Sequence, residues 1–166
     1  MWNYPEPLEG CVDVSAYVAF YWNRVDAWLE EEDEVIVHAK DPYRRIDCLH
    51  SARHVVVVVD GVTLADTERP VMLVETGLPA RYYIPKNDVQ QELLRESEKS
   101  DRNPYKGEAH YYSVQVGDEL VENLAWSYRY PLAEASKIAG YLCFPQGKVE
   151  LYVDGELQEK PKTRWD

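Results

Sequence analysis

Short apolar and alternating segments, broken by glycine and proline, make up most of the chain. Residues 53–59 include five consecutive valines, and an uninterrupted β-branched run is typical of a strand buried on both faces. Asp60 and Gly61 follow at once, a pair that favours a tight hairpin turn. Three later segments have the same strand-like character: residues 71–74, 81–84 and 108–116. The pattern predicts a mainly β domain of antiparallel strands.

Two segments have helical features. A helix is expected over residues 87–95, because the side-chain oxygen of Asn87 or Asp88 can accept an otherwise unpaired backbone N–H at its start. A proline precedes residues 132–139, where a second short helix is expected. Residues 96–103 are charged and contain serine, which predicts a surface loop. Many short strands with two short helices predict a mainly antiparallel β domain.

A short internal repeat relates the N-terminal region to the end of the chain. Residues 17–28 align with residues 141–152, with aromatic and charged positions in register. The later copy contains Pro145, Gln146 and Gly147, a turn sequence that a continuous helix does not tolerate. Both copies are therefore predicted to be hairpins, and the first is interpreted as the tail of a duplicated domain.

These patterns divide the chain into four consecutive segments. Residues 1–15 form a flexible arm rich in proline and acidic side chains, and residues 16–52 form a hairpin and junction, the remnant of a preceding repeat. The main domain covers residues 53–155, and residues 156–166 form a tail.

Composition narrows the class of partner. The 166 residues fit one domain, and a formal net charge of −12 argues against binding to nucleic acid or to an anionic membrane. The N-terminal residues do not resemble a secretory signal, and no apolar run approaches the length of a membrane span. Three cysteines without C-x-x-C spacing favour neither a disulfide framework nor a cysteine-rich zinc site. We expect a cytoplasmic, acidic protein.

Three segments, residues 75–85, 103–116 and 123–128, are crowded with tyrosine and tryptophan. Alternate residues of a strand share one face, so these side chains can line a site for a planar or apolar ligand. Two cationic side chains in these segments would hold an anionic group. The candidate ligand-binding residues are Arg81, Tyr83, Lys106, Tyr112, Trp126 and Tyr128. The alternative is that the aromatic residues are core, with the charges at its rim.

Catalysis on the same site is a second possibility. Lys106 lies on a proline- and glycine-containing loop, the kind of position where functional groups concentrate. Glu75 or Glu108, placed in an aromatic pocket, would have a raised pKa suited to acid–base work. The alternative for either carboxylate is a surface ion pair with Arg81 or Lys106.

Two other clusters contain residues that bind ions. Cys48 and His50, with His54 nearby, are of zinc-ligand type, but their spacing matches no standard site, and no metal is predicted. The sequence identifies no cofactor. Tyr43 is followed by Arg44 and Arg45 in a local basic cluster, which suits a phosphate or carboxylate or pairs with the acidic run at residues 30–34.

Several motifs, in this order, together resemble one family, the domain of unknown function 427: Val59-Asp60-Gly61, Glu75-Thr76-Gly77-Leu78-Pro79, Tyr82-Tyr83-Ile84-Pro85, Pro104-Tyr105-Lys106-Gly107 and Ala125-Trp126-Ser127-Tyr128. The resemblance implies an antiparallel β-tent-like domain of two packed sheets, similar to that of zinc-binding relatives, although no cysteine pairs for that zinc are present here. Members are often tandem, which implies that a second subunit replaces the missing copy in a homodimer.

The first expectation for function is a domain that binds a small anionic or aromatic metabolite in the aromatic site. The second is an enzyme that uses Lys106 with Glu75 or Glu108. The third is a structural or interaction protein whose residues 16–29 supply a dimer interface. The same scaffold can host all three.

Overall fold

The computed structural model describes residues 1–161 and consists mainly of short β-strands. The strands are, in chain order, β1 (Leu29–Glu30), β2 (Asp33–Glu34), β3 (Ile46–His50), β4 (Val55–Val59), β5 (Val62–Thr67), β6 (Val71–Glu75), β7 (Arg81–Ile84), β8 (Leu94–Asn103), β9 (Gly107–Val116), β10 (Glu119–Tyr128), β11 (Leu142–Cys143), β12 (Glu150–Val153) and β13 (Glu156–Leu157). The helical segments among these residues are 3₁₀ turns at Trp22–Arg24, Lys86–Asp88, Gln91–Leu93 and Ala133–Ile138.

The chain forms two compact units, and the first is Met1–Ala39. Within it β1 pairs with β2, and the acidic run supplies both β2 and the turn that precedes it. Trp22 and Trp28 stack with ring centroids 4.7 Å apart, and the Trp28 indole N–H donates to the Trp22 carbonyl at 2.9 Å. This stacking favours the 3₁₀ turn at Trp22–Arg24, which stands where the sequence predicted a hairpin.

The second unit begins at Lys40 and contains two antiparallel sheets. Seven strands are arranged in the order β3-β6-β7-β11-β10-β9-β8, and four in the order β13-β12-β4-β5. The prediction of a mainly β, antiparallel fold is confirmed. Among the described residues, no helix combines the length and the apolar character that crossing a membrane would require.

The core between the two sheets explains the valine run. Val55, Val57 and Val59 are at most 7% exposed and pack with Tyr112 and Leu142 of the seven-stranded sheet. The valines between them are half-buried rather than fully buried. Burial of each such side chain contributes roughly 1.5–3 kcal/mol, so this strand is a major anchor of the fold.

The larger sheet carries a second apolar cluster that includes Val71, Tyr83 and Tyr128. Ala135 and Ile138 of the last 3₁₀ segment are fully buried in the same cluster. Strand alternation places Val71, Tyr83 and Tyr128 on the face opposite the valine core. The segment predicted as a helix over residues 132–139 therefore forms, as a 3₁₀ turn, a partial cover for this second face.

The helix predicted over residues 87–95 does not form. The Asp88 carboxylate accepts hydrogen bonds from the Thr67 hydroxyl at 2.7 Å and from Arg69, and it caps no helix. Strand β8 begins at Leu94, opposite Val114, and includes the whole segment predicted as a loop. Pairing with β9 thus overrides the weak local preference of this charged sequence.

The repeat at residues 141–152 contains the predicted turn but does not form a hairpin. The Lys148 N–H donates to the Pro145 carbonyl at 2.8 Å. However, β11 pairs with β7 and β10, whereas β12 pairs with β4 of the other sheet. The chain crosses between the two sheets at this turn.

Candidate functional site

Four aromatic side chains share the second face of the seven-stranded sheet. The register places Trp126 opposite Tyr111 and Cys143, and Cys143 opposite Tyr83. The Tyr111 and Trp126 rings lie 6.3 Å apart, and the Tyr83 and Tyr128 rings 6.5 Å apart, both pairs tilted by about 45°. The Trp126 indole N–H donates to the Tyr83 hydroxyl at 3.3 Å. These rings form a continuous aromatic surface.

This surface is part of a cavity of about 420 Å³, a size within the range typical of small-molecule sites. Its lining combines the four rings, apolar residues and seven charged side chains. The charged residues are Glu75, Arg81, Lys99, Asp101, Arg102, Lys106 and Lys148.

Glu75 and Lys106 form a buried ion pair at one end of the cavity. The Lys106 ammonium donates to one Glu75 carboxylate oxygen at 2.5 Å, and Arg44 donates to the other at 2.9 Å. Glu75 is 4% exposed and Lys106 is 7% exposed. One buried carboxylate is therefore shared by two cations, which leaves the group with a net positive charge.

This ion pair shows that the cavity face is concave. Glu75 ends β6, whereas Lys106 immediately precedes β9, and three strands lie between β6 and β9 in the sheet. Neighbouring strands are about 4.8 Å apart, so β6 and β9 would be separated by about 19 Å in a flat sheet. The two side chains nevertheless meet, so the end of β6 and the loop before β9 approach each other across the second face of the sheet.

The loop that carries Lys106 is fixed by local hydrogen bonds. The Asn103 side-chain oxygen accepts the backbone N–H groups of Tyr105 and Lys106 at 2.9 and 3.0 Å, an arrangement typical of Asn in turns. Gly107 then adopts φ +97°, and a Cβ there would lie 3.2 Å from the Tyr130 carbonyl oxygen. Both features explain why Asn and Gly flank the lysine.

A second layer of contacts supports Arg44. Its guanidinium lies 5.3 Å from the centre of the Tyr105 ring, and the Tyr105 hydroxyl accepts the Asp41 backbone N–H at 2.8 Å. Arg44 was predicted only as part of a basic cluster. The structure gives the neighbouring Arg45 a different partner, Asp47, at 2.8 Å.

Cationic side chains also lie over the aromatic surface. Arg81 is 5.2 Å from the Trp126 ring centre, and Lys99 is 4.2 Å from the Tyr111 ring centre, both within cation–π range. Lys99 also pairs with Asp101 at 3.5 Å. Two of the cavity's cations, Arg81 and Lys99, thus contact its aromatic rings.

The phenol groups of the cavity stay neutral over a wide pH range. Burial raises the pKa of Tyr111 to about 12, and burial likewise raises the pKa of Tyr83 and Tyr128 above the usual value. The same cause raises the pKa of the Cys143 thiol to about 12. These hydroxyls therefore remain hydrogen-bond donors near neutral pH, whereas the thiol is not a nucleophile.

The structure places five of the six predicted ligand-binding residues in the lining: Arg81, Tyr83, Lys106, Trp126 and Tyr128. Tyr112 instead packs in the valine core, and its neighbour Tyr111 lines the cavity. Of the two candidate carboxylates, Glu75 meets Lys106, whereas Glu108 is exposed opposite Arg102 on β8.

Three lining residues were missed because β8 was predicted to be a loop: Lys99, Asp101 and Arg102. The charged sequence of this segment has no strand-like alternation, so no local pattern identified them. Lys148 lies within the segment of the internal repeat, and its place at the cavity depends on the crossing between the sheets.

The zinc-type residues do not converge. Cys48 is buried, His50 is exposed, and the His54 ring lies 2.7 Å from an Asp66 oxygen. In the described part of the chain, no group of three or more His, Cys, Asp or Glu side chains is arranged to hold a metal ion. Burial raises the pKa of the Cys48 thiol.

Fold and site together define a class: an antiparallel two-sheet β domain with an aromatic cavity bordered by cations. The family model described as "Domain of unknown function (DUF427)" matches residues 47–155. The chain therefore belongs to the DUF427 family, as the sequence motifs indicated. A comparison with curated proteins found none that matches it.

Proposed function

We propose that the cavity binds a small anionic molecule with a planar or apolar part. The observation that carries this proposal is the charge of the lining. Five cationic side chains face two carboxylates there, in a chain whose net charge is −12. A cationic site in an acidic protein favours anions locally while the rest of the surface repels them.

The aromatic surface supports the second half of the proposal. Ring systems pack against Trp and Tyr side chains, and Arg81, held over the Trp126 ring, is placed to meet the charge of a molecule bound beside it. The neutral phenols of Tyr83 and Tyr128 add donors that suit the oxygen atoms of an anion. The ligand would lie with its ring on this surface and its charge toward the cations.

A ligand-observed NMR screen tests this function. The probes are equal sets of aromatic fragments that are anionic, neutral or cationic. We expect hits enriched in the anionic set, and weaker binding to the double variant Lys99→Gln/Arg102→Gln. The matched control is Lys86→Gln/Arg129→Gln, which removes the same charges outside the lining and should bind like the unchanged protein. No enrichment, or equal loss in both variants, contradicts the proposal.

An enzyme is the second candidate, because Lys106 and Glu75 lie within hydrogen-bond distance inside the cavity. Lys106 would stabilise negative charge that develops on a bound molecule, and Glu75 would orient it. The anion found in the screen is incubated with the unchanged protein and with Lys106→Arg. Conversion by the unchanged protein alone supports catalysis, whereas an unaltered ligand contradicts it.

Two further expectations stay proposals: a cytoplasmic location and a homodimer. The described cysteines are free thiols, two of them buried, which suits a reducing compartment. Native mass spectrometry of the purified protein gives the subunit number directly.

A further inference from the structure

The cations of the cavity differ in how far the protein itself neutralises them. Lys106 is paired with Glu75, and Lys99 with Asp101. Three others, Arg81, Arg102 and Lys148, form no ion pair among the described residues. Arg44 adds a further positive charge behind Glu75. The lining itself, with five cations and two carboxylates, has an excess of three positive charges.

That excess bears on the charge of the ligand. A bound molecule displaces water from the rings and lowers the local dielectric, which strengthens its attraction to Arg81, the half-buried cation among these three. A single negative charge would pair with the half-buried Arg81 and leave Arg102 and Lys148, at the exposed edge of the cavity, without a counter-charge. Two negative charges offset two of the three excess charges of the lining, and the guanidinium groups of Arg81 and Arg102 can each donate a pair of hydrogen bonds to an oxyanion.

The position of Arg81 restricts where this charge lies. Arg81 is half-buried and fixed over Trp126, and the Pro145–Lys148 turn also belongs to the lining. Arg102 and Lys148 are exposed and extend from the cavity edge. The doubly charged end of a ligand would thus bind above Trp126, with its ring toward Tyr128 and the Glu75–Lys106 pair.

We infer that the ligand is a dianion attached to a planar ring, either as one phosphoryl group or as two carboxylates. The inference rests on the proposed function and narrows it to a charge class. The inference predicts that the cavity binds a dianion more tightly than a monoanion that has the same ring.

The test compares matched anions by NMR titration at pH 8. Phenyl phosphate and benzenesulfonate share a ring and a tetrahedral head, but the first is a dianion because its second pKa is about 6. Phthalate and benzoate form the same comparison for carboxylates. We expect each dianion to bind at least about tenfold more tightly than its monoanion, the effect of one further charge-assisted hydrogen bond. The stronger of the two dianions identifies the head group.

Variants locate the selectivity. Arg102→Gln and Lys148→Gln change exposed side chains and should fold normally, and each should reduce the dianion preference severalfold. Arg129→Gln, outside the lining, should leave it unchanged. Equal affinity for dianion and monoanion overturns this inference while the proposed function stands. Failure of all four anions to bind overturns both.

Discussion

The Glu75 carboxylate is buried between two cations, Lys106 and Arg44. The stability of the protein therefore depends on both partners. A buried charge that loses its partner is strongly destabilising, whereas removal of both partners can be nearly neutral. Arg44 remains in place when Lys106 is changed, so the carboxylate keeps one donor. The pair is therefore both a structural link across the concave face and part of the cavity wall.

Lys106→Met should lower the free energy of unfolding by about 3 kcal/mol, because Glu75 loses a buried partner. The double variant Lys106→Met/Glu75→Gln should recover part of this loss. Urea denaturation followed by circular dichroism measures both values. Glu75→Gln alone gives the cost of the second substitution. If the double variant is less stable than Lys106→Met by that whole cost, the two residues do not interact.

The tyrosines of the cavity give the protein an alkaline stability limit. Burial raises the pKa of Tyr111 to about 12 in the folded state, above its value of about 10 in an unfolded chain. The folded state therefore holds a proton that the unfolded state releases. The stabilising contribution is complete below pH 10 and is lost as the pH rises toward 12.

Tyr111→Phe should reduce the decline in unfolding free energy between pH 9 and pH 11.5. The control is Tyr130→Phe, since Tyr130 is 90% exposed and its loss should leave the pH dependence unchanged. Urea denaturation at four pH values provides the comparison. Identical pH profiles for Tyr111→Phe and the unchanged protein would contradict the assignment.

At the scale of elements, the β8–β9 hairpin shapes the site. It carries Lys99 and Asp101 on one strand and Lys106 in its loop, and β8 is an edge strand. Charged side chains along an edge strand also oppose pairing with a second sheet. The same residues thus protect the edge and supply charge to the cavity.

Gly107→Ala should destabilise the protein by about 1–3 kcal/mol, because a side chain is strained at φ +97° and its Cβ meets the Tyr130 carbonyl. Gly117→Ala is the matched control: its φ is +57° and nothing lies within 4 Å of the added Cβ. It should cost less and leave anion binding intact. Equal losses of stability and binding in the two variants would refute the role given to Gly107.

At the scale of the whole molecule, the cavity lining and both apolar clusters come from residues that follow Lys40. The family match, residues 47–155, lies in the same unit. The unit therefore has its own core and its own site.

A chain of residues 40–161 should fold cooperatively and bind the same anions as the whole protein. Circular dichroism during urea denaturation tests folding, and the NMR screen tests binding. A non-cooperative transition, or anion affinity lost with normal folding, would show that Met1–Ala39 is required.

The sequence predicted the class of fold because strand signals such as the valine run are local. It failed where pairing between distant segments decides structure. The helix signal of Asn87 and Asp88 lost to the hydrogen bonds that Asp88 accepts from Thr67 and Arg69. The hairpin signal of residues 141–152 lost to a crossing between two sheets.

The site was predicted to the extent that loop chemistry and aromatic content reveal it. Lys106 and Glu75 were both candidates, yet their ion pair depends on sheet curvature, which no local pattern encodes. The choice between Tyr111 and Tyr112 depends on which face of β9 meets the valine core. Periodicity gives two faces but not their orientation.

The position of Trp126 under Arg81 gives the second unit an optical reporter. The protein has five tryptophans, and a chain of residues 40–161 would keep Trp126 alone, since the others are Trp2, Trp22, Trp28 and Trp165. Its indole sits between a guanidinium and the Tyr83 hydroxyl, so an arriving anion alters the field at that ring. The intrinsic fluorescence of this shorter chain would then follow occupancy of the cavity without any attached dye.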